Sequence, residues 1–193
     1  MSSIAATEER VRRAFTWWRV PLMLAAFLVL LAYLHDLRAF WWGSVLAILG
    51  QAVQTWAGSH LHKDTKFTIS GPYSHVRNPM YIGRFFLMLG FVIMTWEPWV
   101  VVVFVVLYAA YAHMRVNREE DRLCVIFAPD YQHYCGEIRR WLPRLRPYSK
   151  SESRRASWSC VQENHEEIHF VGLLIALGLI YARITCVPWH WPQ

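Results

Sequence analysis

Two short stretches of the chain gather residue types that bind small charged molecules. The first is Gly71-Pro72-Tyr73-Ser74-His75-Val76-Arg77-Asn78-Pro79-Met80-Tyr81-Ile82-Gly83-Arg84. Gly-Pro forces a turn, and Asn before Pro is biased away from helix, so a helix is expected to start at Pro79. Helical spacing then puts Tyr81 and Arg84 on one face, with Arg77 just ahead of it. The second stretch is Arg115-Val116-Asn117-Arg118-Glu119-Glu120-Asp121. Arginine grips a carboxylate in a planar fork, while a carboxylate accepts from an ammonium or from neighbouring hydroxyls. Aromatic faces attract a cation. Together the residues suit a polar, cationic small molecule that carries its own carboxylate.

Plainer roles compete with this one. Arg77 also fits a headgroup anchor that snorkels to the membrane surface. Three consecutive carboxylates also fit a solvated face. Arg84 lies one turn inside an apolar run, where a lipid-facing charge is costly, so it is expected to face the protein interior. A third motif, His165-Glu166-Glu167-Ile168-His169, fits the HExxH zinc pattern of metalloproteases. It equally fits a helix start, with Asn164 as cap and acidic residues in the first turn.

The elements that must position these groups are apolar runs. They cover Val20–Leu34, Ala39–Ser59, Met80–Trp96, Pro98–Met114 and Phe170–Ala182. A membrane span needs roughly 17–25 residues, so five helices are expected, some of them completed by flanking residues. The third and fourth runs are joined by Thr95-Trp96-Glu97-Pro98-Trp99 alone, and Pro98 suits the first helical position. This predicts a tight antiparallel hairpin over about 80–114. Its two outer ends return to one side, so residues 71–84 and 111–131 must lie close in space. Leu123, Phe127, Tyr131 and Tyr134 recur at spacings of four, four and three, the stripe of one amphipathic helix. Gly43, Ala47, Gly50 and Gly58 in the second run predict close helix packing; Gln51 and Gln54 fit packing or a polar cavity. The chain divides into an amphipathic segment (1–18), a core (19–146), a Ser-rich basic linker (147–163) and a last helix (164–193).

Composition agrees with a membrane protein. Hydrophobic residues make up 55% and charged residues 18%, against about 25% charged in soluble domains. Mean hydropathy is +0.18. The net charge of +6 reads as basic cytoplasmic loops and not as a nucleic-acid surface. With the N-terminus inside, seventeen of the 20 Lys and Arg fall on the inner side. The expected location is the inner membrane of a prokaryote or the endoplasmic reticulum of a eukaryote. The four cysteines form no CxxC pair, which points to neither a zinc knuckle nor a disulfide frame. No small-residue cleavage site follows the first apolar run, so no signal peptide is expected.

The ordered pair GPYSHVRNPMYIG and RVNREEDRLCVIFAPDYQHY, then RRWLPRL, resembles the integral-membrane methyltransferases of the isoprenylcysteine carboxyl and phospholipid N-methyltransferase families. The likeness covers residues 71 to about 146. Two departures stand out: Asn78 where the isoprenylcysteine enzymes usually have His, and Ala128-Pro129 in place of a Phe-Gly step. The resemblance implies S-adenosylmethionine as cofactor and a lipophilic, membrane-embedded methyl acceptor, a prenylcysteine-like carboxylate or a phospholipid amine. It implies that Tyr73, Arg77, Asn78, Pro79, Tyr81, Glu119 and Glu120 contact the cofactor, and that Arg77, Asn78 and Glu119 serve catalysis, with no metal. An amine acceptor would need a proton acceptor, for which His75, His113 or a glutamate is available. A zinc protease built on HEEIH and a non-catalytic membrane scaffold are the alternatives.

Overall fold

The computed structural model describes residues 34–62 and 67–186. The expected amphipathic segment 1–18 and the first apolar run, apart from Leu34, lie outside the described residues. Among those described there are six α-helices and no strand: α1 (Leu37–Gly58), α2 (Pro79–Ile93), α3 (Pro98–Ile126), α4 (Asp130–Glu137), α5 (Trp158–Glu163) and α6 (Glu166–Cys186). A 3-10 turn at Gly71–Ser74 precedes α2.

Local chemistry sets the helix starts. Asp36 caps α1, its Oδ1 accepting from the Arg38 and Ala39 amides. Asn78 is non-helical and Pro79 opens α2, as the Asn-Pro step predicts. Pro98 opens α3 in the same way. Trp96, in a left-handed conformation, turns the chain between α2 and α3. These two helices are the predicted hairpin.

The first seam is backbone against backbone. A Cβ on Gly50 would stand 2.6 Å from the Gly83 carbonyl oxygen, and one on Gly83 would stand 2.7 Å from that of Gly50. One helical heptad away, a Cβ on Gly90 would meet the Gly43 carbonyl oxygen at 2.5 Å. The glycines of α1 and α2 therefore face each other in two pairs, and the small-residue expectation for α1 holds. The α2–α3 seam is different in kind. It is made by side chains, with Phe85 stacked on Phe104 and the Tyr108 hydroxyl donating to the Tyr81 carbonyl at 2.7 Å.

Five spans are expected from the sequence, and the structure differs. Two described helices, α3 and α6, are long and apolar enough to cross a membrane. Helix α2 is apolar but only 15 residues long. Helix α1 has the length, but its Trp and Gln side chains hold its hydropathy down. The apolar windows of α3 and α6 are only 17% buried. Side chains such as Val102, Val106 and Leu107 are more than 60% exposed, an apolar band suited to lipid. Leu173, Leu177 and Ile180 of α6 pack at helical spacing on Phe40, Ala47 and Met94.

Helix α3 has 29 residues, about 43 Å at 1.5 Å per residue. The hydrocarbon core of a bilayer is about 30 Å thick, so the C-terminal turns of α3 project beyond it, carrying Asn117 to Asp121. There a second, smaller core forms from Tyr131, Tyr134, Ile138 and Tyr148, with Phe67, Leu123 and Phe127 packed against it. The aromatic stripe is thus buried as expected, but on two helices and not one. Helix α3 ends at Ile126, and α4 restarts at Asp130 after Pro129, because proline lacks the amide that would continue the ladder. Within 147–163, Tyr148 and Cys160 are buried and α5 is formed.

Candidate active site

The hairpin brings the two chemistry-bearing stretches together. Asn78 Nδ2 donates to Glu120 Oε1 at 3.1 Å, and Arg77 Nη1 lies 3.5 Å from Glu120 Oε2. A third partner comes from a segment to which sequence reasoning assigned no role. Arg140 Nη2 pairs with Glu120 Oε2 at 2.6 Å, while its Nη1 donates to Asn117 Oδ1 at 2.9 Å. Backbone bonds deliver Arg140 there. The amide of Arg77 donates to the Arg139 carbonyl, that of Arg144 to His75, and that of Tyr148 to Ser74. The chain after α4 is therefore laid alongside residues 74–77. Glu137 pins its far end through Arg144 and Ser149.

Beside this knot opens a cavity of about 350 Å³, near the lower end of the roughly 300–1,000 Å³ usual for ligand sites. Its wall includes Tyr73, Arg77, Asn78, Pro79, Tyr81 and Glu119, all seven predicted contacts except Glu120. Glu120 is buried behind the wall, with both oxygens engaged by Asn78, Arg77 and Arg140. Glu119 is two-fifths exposed and pairs with Arg122 at 2.7 Å. Arg84 joins the wall, its guanidinium 5.8 Å from the Tyr81 ring centroid, so its inward direction is as expected.

Part of the wall comes from the start of α6 and the residues before it. Asn164, Glu166 and His169 line the same cavity. Glu166 is 1% exposed. Its Oε2 accepts from Gln51 Nε2 at 3.1 Å, and its Oε1 lies 3.8 Å from His169 Nδ1. Gln54 in turn donates to Gln51. The two glutamines of α1 thus form a polar chain behind the cavity, holding Glu166 in place. Gly58 makes room for it: a Cβ there would meet Glu166 Cγ at 2.6 Å.

The HEEIH motif takes on a different meaning in this setting. Its first residue, His165, has a left-handed backbone with φ of 58°, and α6 starts one residue later. Asn164 does not cap α6. Its Nδ2 instead donates to the carbonyls of Gly58, Leu61 and Cys160. Among the described residues, His165 and His169 belong to no group of three metal-ligating side chains.

Burial and charge set the protonation of the wall. Burial, then the Glu166 and Glu119 carboxylates, push the Tyr73 phenol far above its ordinary range, so it remains a donor. Burial and Glu120 do the same to Tyr131. For Arg77 burial works in the opposite direction, but Cys135 and Glu120 outweigh it and hold its pKa above the usual value. Neither imidazole proposed as a proton acceptor lines the cavity. His75 Nδ1 donates to the Arg144 carbonyl at 2.8 Å, and His113 pairs with Asn117 on the exposed side of α3.

Three buried polar atoms of wall residues have no hydrogen-bond partner: Asn164 Oδ1, and the donor–acceptor pair Arg77 Nε and Glu166 Oε1. A buried polar atom without a partner is costly. A ligand with both an anionic and a cationic or hydroxyl group would satisfy the pair. S-adenosylmethionine carries groups of both kinds.

The chain is 28% identical over 68% of its length to the cobalt-zinc-cadmium resistance protein CzcN of Cupriavidus metallidurans. It is 25% identical over 72% of its length to the nickel-cobalt-cadmium resistance protein NccN of Alcaligenes xylosoxydans xylosoxydans. The matches span 64% of the length of each of these relatives. No solved structure matches the chain significantly. The phospholipid methyltransferase family model matches residues 20–130, a stretch that takes in the glycine seam, the whole hairpin and the Asn78–Glu120 contact, and the chain belongs to that family.

Proposed function

We propose that the cavity holds S-adenosylmethionine and that the chain transfers its methyl group to a lipophilic acceptor in the bilayer. The observation that carries this is that two buried, unpartnered atoms of opposite kind, Arg77 Nε and Glu166 Oε1, belong to residues lining one cavity. Bound there, the cofactor would supply an electrophilic methyl on a sulfonium. Arg77 would hold its carboxylate, held in turn by Glu120, which also accepts from Asn78. Glu119 would accept from its hydroxyls or ammonium. Tyr73 and Tyr81 would offer a phenol donor and an aromatic face. Glu120 acts as a positioning residue: it fixes Arg77 and Asn78 without lining the cavity. For an amine acceptor, His62, Glu119, Glu166 and His169 are the groups in the wall that could take a proton. Holding the reactants in line and excluding water would supply most of the acceleration.

In this reading the polar end with its basic segments faces the cytoplasm and the acceptor arrives from the membrane. The test is methyl transfer from radiolabelled cofactor to a panel of prenylcysteines, aminophospholipids and small lipophilic thiols. Label in one acceptor class supports the proposal and names the substrate. Absence of label in all three, from protein that binds the cofactor, overturns the acceptor assignment. A second reading takes the relatives' names, which tie those proteins to metal resistance, as a pointer to a metal-linked role here. One observation favours it, a meeting of His62, Cys160 and Glu163.

A further inference from the structure

At the C-terminal end of α1 the chain leaves the helix and reaches His62. Helix α5 docks against this exit. The Ser157 amide donates to the Ser59 carbonyl at 2.9 Å. The Asn164 side chain donates to the Gly58 and Leu61 carbonyls at 3.0 Å and to the Cys160 carbonyl at 2.8 Å. One buried amide therefore ties the segment bearing His62 to the helix bearing Cys160. Cys160 and Glu163 are three residues apart on α5 and share a face.

The ligating atoms of His62, Cys160 and Glu163 all lie within 4.8 Å of one another, and Cys160 Sγ is 3.3 Å from His62 Nε2. A thiolate and an imidazole on one tetrahedral zinc ion, with bonds of roughly 2.0–2.3 Å, stand about 3.5 Å apart. The Cys160–His62 pair is already at that separation, and Glu163 is within reach by side-chain rotation. Cys160 is fully buried and Glu163 is exposed, so the site is closed behind and open in front. Three protein ligands with an open fourth position mark an exchangeable or catalytic site and not a closed structural one.

We infer that His62, Cys160 and Glu163 bind one divalent transition-metal ion of the zinc class. The thiolate selects against magnesium and calcium, which take oxygen ligands, and the imidazole suits zinc and cobalt. The inference rests on the donor geometry and is independent of methyl transfer. His62 also lines the cavity, so the ion would sit at its margin.

The test is a titration of the full chain, reduced and metal-free in detergent, with Co²⁺ as the spectroscopic probe and Zn²⁺ as competitor. One equivalent of Co²⁺ should give tetrahedral ligand-field bands and a thiolate-to-cobalt charge-transfer band, both abolished by Zn²⁺. Cys160→Ser should remove the charge-transfer band. His62→Ala and Glu163→Gln should weaken binding by more than the roughly 10–100-fold caused by losing an outer-shell partner. The double variant His165→Ala, His169→Ala should bind as wild type. Glu163 is exposed, so its variant tests the site without risk to the fold. Wild-type affinity in Glu163→Gln, a charge-transfer band that survives Cys160→Ser, or no band in folded wild-type protein would each overturn the site.

Discussion

Helix α2 is held on its two sides by opposite means. Toward α1 it presents Gly83 and Gly90, and the two backbones touch. Toward α3 it presents Phe85 and the Tyr81 carbonyl, and side chains make the contact. The first seam has no slack; the second has rotamers that can adjust. The difference teaches where the site gets its rigidity. Asn78 and Arg77 stand at the head of α2, fixed by the glycine seam. Glu119 and Glu120 stand on α3, which is fixed mainly at its polar end, by the Glu120 knot. The cavity lining thus joins a rigid contribution from the head of α2 to one from α3 that depends on a single carboxylate.

Breaking the rigid side should have the largest effect. Gly50→Val would drive a branched side chain into the Gly83 carbonyl and the Leu87 backbone. The cost should exceed the about 1–3 kcal/mol of ordinary overpacking, and thermal unfolding in detergent should show loss of the folded protein. Phe104→Leu on the opposite seam should cost about 1 kcal/mol, the value of an aromatic pair. Equal melting shifts for the two would erase the contrast.

The next effect should come from the knot. Glu120→Ala leaves Arg77 and Arg140 facing each other without their shared carboxylate. Breaking a buried pair costs about 3–5 kcal/mol, somewhat less here because Arg140 is 30% exposed. The variant should lose both stability and cofactor binding, because Arg77 and Asn78 lose their fixed positions. Glu119→Gln sharpens the point. It should leave the melting temperature unchanged, since its partner Arg122 is half-exposed and exposed pairs contribute about 0–1 kcal/mol. It should weaken cofactor binding about tenfold through one lost charge-assisted bond. Glu119→Gln binding as wild type would remove Glu119 from the site. Smallest of all, Tyr108→Phe deletes one hydrogen bond between α3 and α2, for about 1 kcal/mol on the same melt.

Much of this was legible in the sequence where the signal is local. The Asn78-Pro79 step and Pro98 mark helix starts through backbone chemistry alone. The short link at 94–97 dictates the hairpin, and the hairpin dictates that Asn78 meets Glu120. The small residues of α1 announced a close seam, though not its partner glycines in α2. What stayed hidden is non-local. Nothing near Arg140 says that it reaches Glu120. Glu166 reaches Gln51 across 115 residues of sequence, and its neighbours looked like a zinc motif or a plain helix start. Adjacent glutamates could not be told apart either: one turn step of about 100° puts Glu119 in the cavity wall and Glu120 behind it.

The central claim is that one cavity, lined by Arg77, Glu119 and Glu166, binds the methyl donor. Calorimetric titration of the full chain with S-adenosylhomocysteine, with chelator present, tests it most directly. The account predicts one binding site per chain, retained in EDTA, weakened about tenfold by Glu119→Gln and weakened further by Arg77→Lys, which cannot reproduce the guanidinium fork. Folded protein that takes up no S-adenosylhomocysteine, or that binds it equally in all three forms, would contradict the account.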